Sequence, residues 1–125
     1  MGIMSFQEAI SSGLSRYIDF NTRSSRSEYW YWVLFVVLLS IVAGVIDSIL
    51  FDASILRSLV TLGLLVPGIA VGVRRLHDID RSGWWYLIVF IPLIGALVLI
   101  YWFVQPGTAG SNEYGDNPLG DAGST

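Results

Sequence analysis

Three long stretches without a charged residue constrain this sequence more than any other feature. They cover residues 29–46, 58–73 and 83–112, which are eighteen, sixteen and thirty residues long. A helix that crosses the hydrocarbon layer needs about 20 apolar residues, within a range of roughly 17 to 25. Apolar residues make up 54% of the chain and charged residues 14%, a balance unlike that of a soluble domain. Each stretch therefore predicts one membrane-spanning helix.

The predicted fold class is all-α, a membrane protein with an N-terminal amphipathic surface helix followed by three transmembrane helices. The chain is expected to form one domain, 1–125, divided into a surface helix (5–20), transmembrane helices (29–51, 56–73 and 84–104) and a polar tail (105–125). Ser5 and Glu8 have the spacing of a capping box, and apolar residues recur behind them at helical intervals. A buried helix of a soluble protein has the same pattern, so its membrane-surface placement depends on the spans that follow.

The first two spans are predicted to form a tight antiparallel hairpin. Asp47 falls near the far interface, where solvation at the outer surface is expected to stabilise its charge. Pro67 frees a backbone carbonyl one turn earlier and predicts a bend. Gly68 and Gly72 form a G-x-x-x-G pair, which indicates a close helix contact.

The third span is predicted from its aromatic ends. Residues 84–86 and 101–103 are aromatic clusters that a continuous helix would separate by about 25 Å, close to the distance between the two membrane interfaces. Pro92 and Gly95 then indicate a kink in the middle of the span.

The orientation follows from the arginines, since cytoplasmic loops of membrane proteins carry an excess of positive charge. Six of the seven arginines lie before span one or between spans two and three: Arg16, Arg23, Arg26, Arg74, Arg75 and Arg81. Only Arg57 lies on the opposite side. The N-terminus is therefore expected in the cytoplasm of a multi-pass inner-membrane protein, and an odd number of spans places the C-terminus outside.

Two charged motifs fall at the cytoplasmic ends of these spans, at residues 20–30 and 74–85. With residues 91–95 and 110–118, they resemble the small bacterial inner-membrane proteins of family 805 of the domains of unknown function. That family is similar in its F-x-G-R-x-x-R-x-E-[FY]-W, R-R-L-H-D-x-x-[RK]-S-G-W, I-P-x-I-G and G-x-N-x-[FY]-G-x-[DN]-P segments. Thr22 departs from the pattern, because the family usually has glycine there. The resemblance covers nearly the whole chain and implies a membrane topology, but no reaction or ligand.

The candidate site is the charged cluster formed by these motifs: Arg23, Arg26, Glu28, Arg74, Arg75, His77, Asp78 and Arg81. One interpretation is a structural clasp in which acids and arginines fix the helix ends and bind anionic headgroups. A second is a basic pocket for an anionic lipid or a phosphorylated metabolite. A third is an enzyme that uses His77 beside Asp78 for proton transfer, for which a single histidine is weak support.

The sequence predicts no catalytic residue, no cofactor and no metal site. Asn112, Glu113, Asp116 and Asn117 lack EF-hand spacing and are interpreted as turn residues. The expected function is non-catalytic and depends on lipid or protein contacts at a basic cytoplasmic face. Candidate partners are the bilayer, anionic phospholipid, a second copy of the chain or another membrane protein, and nucleic acid is not expected. The alternatives are a subunit of a small oligomeric transporter or channel, or a membrane enzyme acting on an anionic lipid or phosphorylated substrate.

Overall fold

The computed structural model describes residues 4–51 and 53–118, and its regular elements are all helical. They are α1 (Phe6–Ser15), α2 (Arg26–Ile46) with a π-helical turn (Asp47–Phe51), α3 (Ile55–Asp78), a 3-10 helix (Gly83–Phe90) and α4 (Ile94–Val104). The all-α class is therefore confirmed for the described residues.

Two helices are long and apolar enough to cross a membrane, Arg26–Phe51 and Ile55–Asp78. Only 11% and 22% of the residues in their most apolar windows are buried by the rest of the chain. A helix in the core of a soluble protein would bury most of its apolar residues, so these outward-facing apolar surfaces fit contact with lipid.

Asp47 is buried, which corrects the expectation that solvation at the outer surface stabilises it. The side chain is only 4% exposed and accepts hydrogen bonds from the N–H groups of Leu56 at 2.7 Å and Arg57 at 2.9 Å. These are first-turn donors of α3, whose own N-cap residue Ser54 makes no side-chain capping bond. Asp47 therefore caps α3 from the end of the preceding helix, and its charge favours the positive end of the helix dipole.

Residues 84–104 do not form the continuous third span that the sequence predicts. The 3-10 helix ends at Phe90, the chain reverses at residues 91–93, and α4 begins at Ile94. At about 2.0 Å and 1.5 Å per residue the two helices are each about 16 Å long, roughly half of the 30 Å hydrocarbon layer. The Trp85 and Trp102 rings, expected at opposite interfaces, lie 5.6 Å apart at their centroids. The segment is thus a helical hairpin whose two ends lie together.

The reversal depends on two residues with unusual backbone requirements. Leu93 has a φ of 63°, in the left-handed region, and turns the chain back. Gly95 packs so tightly that a Cβ there would lie 1.6 Å from the carbonyl oxygen of Ile88. The Ile91 and Gly95 N–H groups donate within the turn, at 2.9 Å and 3.0 Å, and Pro92 has no N–H to satisfy. These bonds satisfy part of the backbone of the turn.

Helix α1 is shorter than predicted but begins as expected. The Ser5 hydroxyl accepts from the N–H of Glu8 at 3.1 Å and the Ser5 N–H donates to the Glu8 carboxylate at 2.8 Å, so the capping box is confirmed. The helix buries Ala9 and Gly13, and the ring of Trp32 in α2 packs directly against Gly13. Its position on the membrane surface stays a prediction.

The carbonyl freed by Pro67 has a partner in the segment after α1. Pro67 lies within α3 and has no N–H for the carbonyl of Gly63, four residues earlier. The Tyr17 hydroxyl donates to that carbonyl. A polar backbone group that would otherwise face lipid is therefore hydrogen-bonded.

The predicted close contact at Gly68 and Gly72 is made with aromatic rings and not with another helix backbone. The nearest atom to a Cβ at Gly68 would be the Trp32 indole nitrogen at 3.8 Å, whereas a Cβ at Gly72 would lie 2.1 Å from the ring of Tyr86. Tyr86 belongs to the 3-10 helix, so Gly72 sets how closely the helical hairpin packs on α3.

We expect Gly72→Leu to lower the thermal stability of the purified protein in detergent, because the new side chain overlaps the Tyr86 ring. Overpacking of this kind costs roughly 1–3 kcal/mol. The matched control is Gly63→Leu in the same helix, where an added Cβ meets no atom within 4 Å. Both substitutions gain the same helix propensity. Equal melting temperatures for the two variants would show that the hairpin does not pack on Gly72.

Candidate functional site at the charged helix ends

The two charged motifs lie side by side, as the sequence analysis expected. The Ser24 N–H donates to the carbonyl oxygen of Arg74 at 3.0 Å, and the Arg74 Nε donates to the Ser24 hydroxyl at 2.8 Å. This pair of bonds joins the loop before α2 to the last turn of α3. It brings the acid of one motif and the arginines of the other within contact distance.

Glu28 is the centre of the first buried ionic group. Its carboxylate is fully buried and lies 3.3 Å from Nη2 of Arg74, which is fully buried as well. Nη2 of Arg16 lies 2.8 and 2.9 Å from its two oxygens, and the Ser12 hydroxyl donates at 2.8 Å. Arg74 also donates to the carbonyl of Asp19 at 2.9 Å. These bonds link α1 and α3 to the first turn of α2.

Asp78 is the centre of the second ionic group. Its carboxylate lies 3.0 Å from the guanidinium of Arg23 and 2.9 Å from that of Arg75. Its backbone carbonyl accepts from the Thr108 N–H at 2.7 Å. A Cβ on Gly107 would lie 2.0 Å from the Asp78 carboxylate, so only glycine lets the tail pass this closely. The second group therefore connects α3, the loop before α2 and the start of the tail.

Both motifs also cap the end of α4, whose last turn contains no basic residue of its own. The carbonyl of Phe103 accepts from Arg75 Nε at 3.2 Å and from the Trp30 indole at 3.1 Å. The Val104 carbonyl accepts from Arg26 at 2.9 Å, and the Gln105 carbonyl accepts from Arg75. Cations and donors are favourable at the negative end of a helix, where the last carbonyls lack partners. These bonds hold the returning arm of the hairpin at the same end as the two motifs.

The polar tail crosses the ends of α2 and α3. Arg23 donates to the carbonyls of Thr108 at 2.6 Å and Gly110 at 2.7 Å. The Asn112 side chain donates to the carbonyl of His77 at 2.9 Å, and the ring of Tyr114 stacks on the His77 imidazole at 3.9 Å with an interplanar angle of 2°. The tail thus covers the second motif.

His77 and Asp78 do not form a histidine–carboxylate pair. His77 Nδ1 lies 3.0 Å from the carbonyl oxygen of Thr22, which can only accept, so Nδ1 carries the hydrogen. The Asp78 carboxylate instead binds the arginines described above. The proton-transfer interpretation loses its geometric basis because the two neighbouring side chains have different partners.

Arg81 stands apart from the ionic groups. Its guanidinium lies 4.3 Å from the centroid of the Trp102 ring, where it makes a cation–π contact with α4. The structure therefore brings seven of the eight candidate residues into one network of ionic groups, helix cap and tail contacts, and it places Arg81 on the aromatic face of the hairpin.

The sequence analysis missed the part that α1 has in the network. Ser12 and Arg16 both bind Glu28, and they are four residues apart, so they share one face of α1 and its C-cap. The four-residue spacing is visible in the sequence and could have identified these two residues as partners on one helix face. The sequence analysis uses Arg16 only in the arginine count that predicts orientation.

Thr22 replaces the usual glycine without backbone strain, since the non-glycine residues with positive φ in the described chain are Asp80 and Leu93. The Thr22 N–H donates to the Asp19 carboxylate at 3.2 Å, and the Asn21 N–H donates to the same carboxylate at 3.0 Å. Partial burial of Asp19 raises its pKa, but hydrogen bonds from Thr22 and Asn21 and the charge of Arg74 together hold the pKa below its usual range. The turn is thus stabilised by a side chain and not by glycine.

The tail residues weighed as calcium ligands have turn contacts. The Asn112 side-chain oxygen accepts from the Tyr114 N–H at 2.8 Å, and Asp116 accepts from the Ser111 hydroxyl at 2.9 Å. Across residues 4–51 and 53–118 there is no group of three histidine or acidic side chains arranged to hold a metal.

The fold and this network define an all-α integral membrane protein with a charged cap at one end of its helices. Residues 17–116 match the family described as "Protein of unknown function (DUF805)", and the chain belongs to that family.

Its relatives include the inner membrane protein YhaI of Escherichia coli K12, 43% identical over 86% of this chain and 92% of the relative. The inner membrane protein YhaH of the same strain is 38% identical over 84% of this chain and 91% of the relative. No solved structure matches.

We expect Glu28 and Arg74 to be energetically coupled. Glu28→Gln leaves the buried Arg74 guanidinium without its carboxylate, and breaking a buried pair in this way typically costs about 3–5 kcal/mol. Arg74→Gln should cost less, because Glu28 keeps its pair with Arg16. The double substitution removes both charges, so its cost should fall below the sum of the single costs by roughly 0.5–3 kcal/mol. The measurement is a double-mutant cycle on unfolding in detergent.

Arg75→Gln is the control for this cycle, because Arg75 is the neighbour of Arg74 but pairs with Asp78. It should couple weakly to Glu28→Gln. Additive costs for the Glu28 and Arg74 pair would contradict the clasp and leave the arginine available to an external anion.

Proposed function

We propose that this chain is a non-catalytic inner-membrane protein that acts through lipid or protein contacts at its cytoplasmic end. The observation that supports this proposal is that the charges of the ionic network are paired within the chain. Glu28 and Asp78 are paired with arginines of the same chain, and the remaining arginine donors bind carbonyls at the end of α4 and in the tail. Arginines that are bonded in this way hold the cap together and have few donors left for a phosphorylated substrate.

The proposed topology has two spans and a hairpin that enters and leaves the membrane on the cytoplasmic side. The arginine distribution supports a cytoplasmic N-terminus. The support for a cytoplasmic tail is its contact with Arg23 and His77, which lie at the cytoplasmic ends of the spans. This replaces the outside C-terminus expected from three spans.

We expect a reporter that is active only in the cytoplasm to give signal when fused after Thr125. The same reporter inserted after Ala53, between α2 and α3, should give none, because that turn lies at the opposite ends of the spans. A silent C-terminal fusion, made at normal protein levels, would restore the three-span topology and remove the re-entrant hairpin.

One observation favours a transporter or channel subunit as the second candidate. The reversal at residues 91–93 interrupts the helical hairpin, and interrupted helices at membrane depth often line a pathway in transporters. A pathway would require several copies of the chain, since α4 and the 3-10 helix expose mainly apolar side chains. An enzyme acting on an anionic lipid has less support, because the arginines that would bind the lipid are engaged within the chain.

Reconstitution of the full-length protein in vesicles separates these candidates. We expect phospholipid to be retained through purification and detected by native mass spectrometry. We also expect no protein-dependent movement of potassium or protons across vesicles under an imposed gradient. Ion movement would favour the transporter or channel, and a protein that retains no phospholipid would contradict the lipid-contact proposal.

A further inference from the structure

A groove between α3 and the 3-10 helix remains outside the ionic network. One wall is a stripe of α3 side chains at four-residue intervals, Leu65, Ile69, Val73 and His77. From Leu65 to His77 this stripe is about 18 Å long at 1.5 Å per residue. The opposite wall is formed by the 3-10 helix, with Trp84, Leu87 and Phe90. The groove has a volume of about 780 Å³, within the roughly 300–1,000 Å³ of ligand-binding clefts.

The polarity of the groove changes along its length in the same direction as that of a membrane leaflet. Its deep end, at Leu65 and Phe90, is apolar. Its mouth, at the cytoplasmic end of α3, is lined by Asn21, Ser82 and the stacked pair of His77 and Tyr114. Amide and hydroxyl groups at the mouth can donate to a phosphate ester while the walls enclose an acyl chain.

The charge around the mouth indicates which headgroup fits. The arginines of the second motif are directed elsewhere, Arg74 and Arg75 into the ionic groups and Arg81 onto Trp102. Burial is the main cause that raises the pKa of the Tyr114 phenol. The exposed acids Glu113 and Asp80 lie close enough to Tyr114 to raise this pKa further. Acids and an aromatic face attract a cation.

We propose that this groove binds one acyl chain of a phospholipid whose headgroup carries an ammonium group, such as phosphatidylethanolamine. The acyl chain lies along the α3 stripe, and the ammonium lies near Tyr114, Asp80 and Glu113. This inference rests on the proposed lipid-contact function and specifies the lipid class and its place. It differs from the sequence-based expectation of an anionic lipid at the arginines.

The test is native mass spectrometry of the full-length protein titrated with phosphatidylethanolamine or phosphatidylglycerol of identical acyl chains. Ile69→Trp fills the groove from the α3 wall and should weaken phosphatidylethanolamine binding about tenfold, equivalent to about 1.4 kcal/mol. Leu62→Trp is the matched control, since Leu62 lies on the same helix outside the groove and is 68% exposed. It should leave binding unchanged.

A headgroup variant tests the charge argument separately. Asn21→Arg places a cation at the mouth and should move the preference toward phosphatidylglycerol by about tenfold. A wild-type protein that prefers phosphatidylglycerol would overturn the ammonium assignment.

Further outcomes distinguish the groove from the broader proposal. Equal phosphatidylethanolamine binding by Ile69→Trp and wild type would overturn the groove while leaving lipid contact intact. If Ile69→Trp unfolds, Leu87→Trp fills the groove from the opposite wall, and undiminished binding by that variant overturns the groove in the same way. Wild-type protein that binds neither lipid would overturn both the groove and the lipid-contact part of the proposed function.

Discussion

The pairing of two buried carboxylates with arginines is the interaction on which the rest of this structure depends. Glu28 lies in the first turn of α2 and Asp78 ends α3. Both are buried, so an unpaired charge there would lose hydration without compensation. Each carboxylate binds arginines from two segments. Arg23, Arg74 and Arg75 use further donors on backbone carbonyls, whereas Arg16 binds the hydroxyls of Ser12 and Thr22. Through these second bonds the two ionic groups position α1, the end of α4 and the tail. The planar guanidinium allows this, because its five donors serve several acceptors at once.

The first two spans, the capping box and the neighbourhood of the two motifs could be predicted because each depends on local pattern. Length and composition determine whether a helix can cross the membrane, and Ser5 with Glu8 determines where α1 begins. The prediction of one continuous helix over 84–104 was wrong because the same sequence pattern suits two structures. A stretch of thirty uncharged residues is long enough for one crossing or for a hairpin. Aromatic residues at both ends mark two interfaces in the first case and a single interface in the second.

The residues that decide between those two structures act through packing that sequence does not display. In the sequence, Pro92 and Gly95 indicate a kink, which changes the chain direction less than the reversal that the structure shows. The complete reversal depends on the Gly95 backbone meeting the carbonyl of Ile88 and on the left-handed conformation of Leu93. Asp47 gives a similar lesson: its depth suggested solvation, but its partners are N–H groups that belong to the next helix. The pairing of Glu28 with Arg74 could be anticipated, whereas the role of Arg16 required the position of α1.

The tail shows why a count of positive charges does not by itself determine on which side of a membrane a segment lies. Residues 105–118 contain no arginine or lysine, a composition that by itself gives no reason for a cytoplasmic location. In the structure this segment supplies carbonyl acceptors, and the positive charge that binds them belongs to Arg23 and Arg75 in the two motifs. The tail is therefore held at the ends of α2 and α3 through its partners and not through its own composition. A cation-free segment next to an arginine-rich motif is ambiguous for topology, because its own composition does not record the charge that binds it.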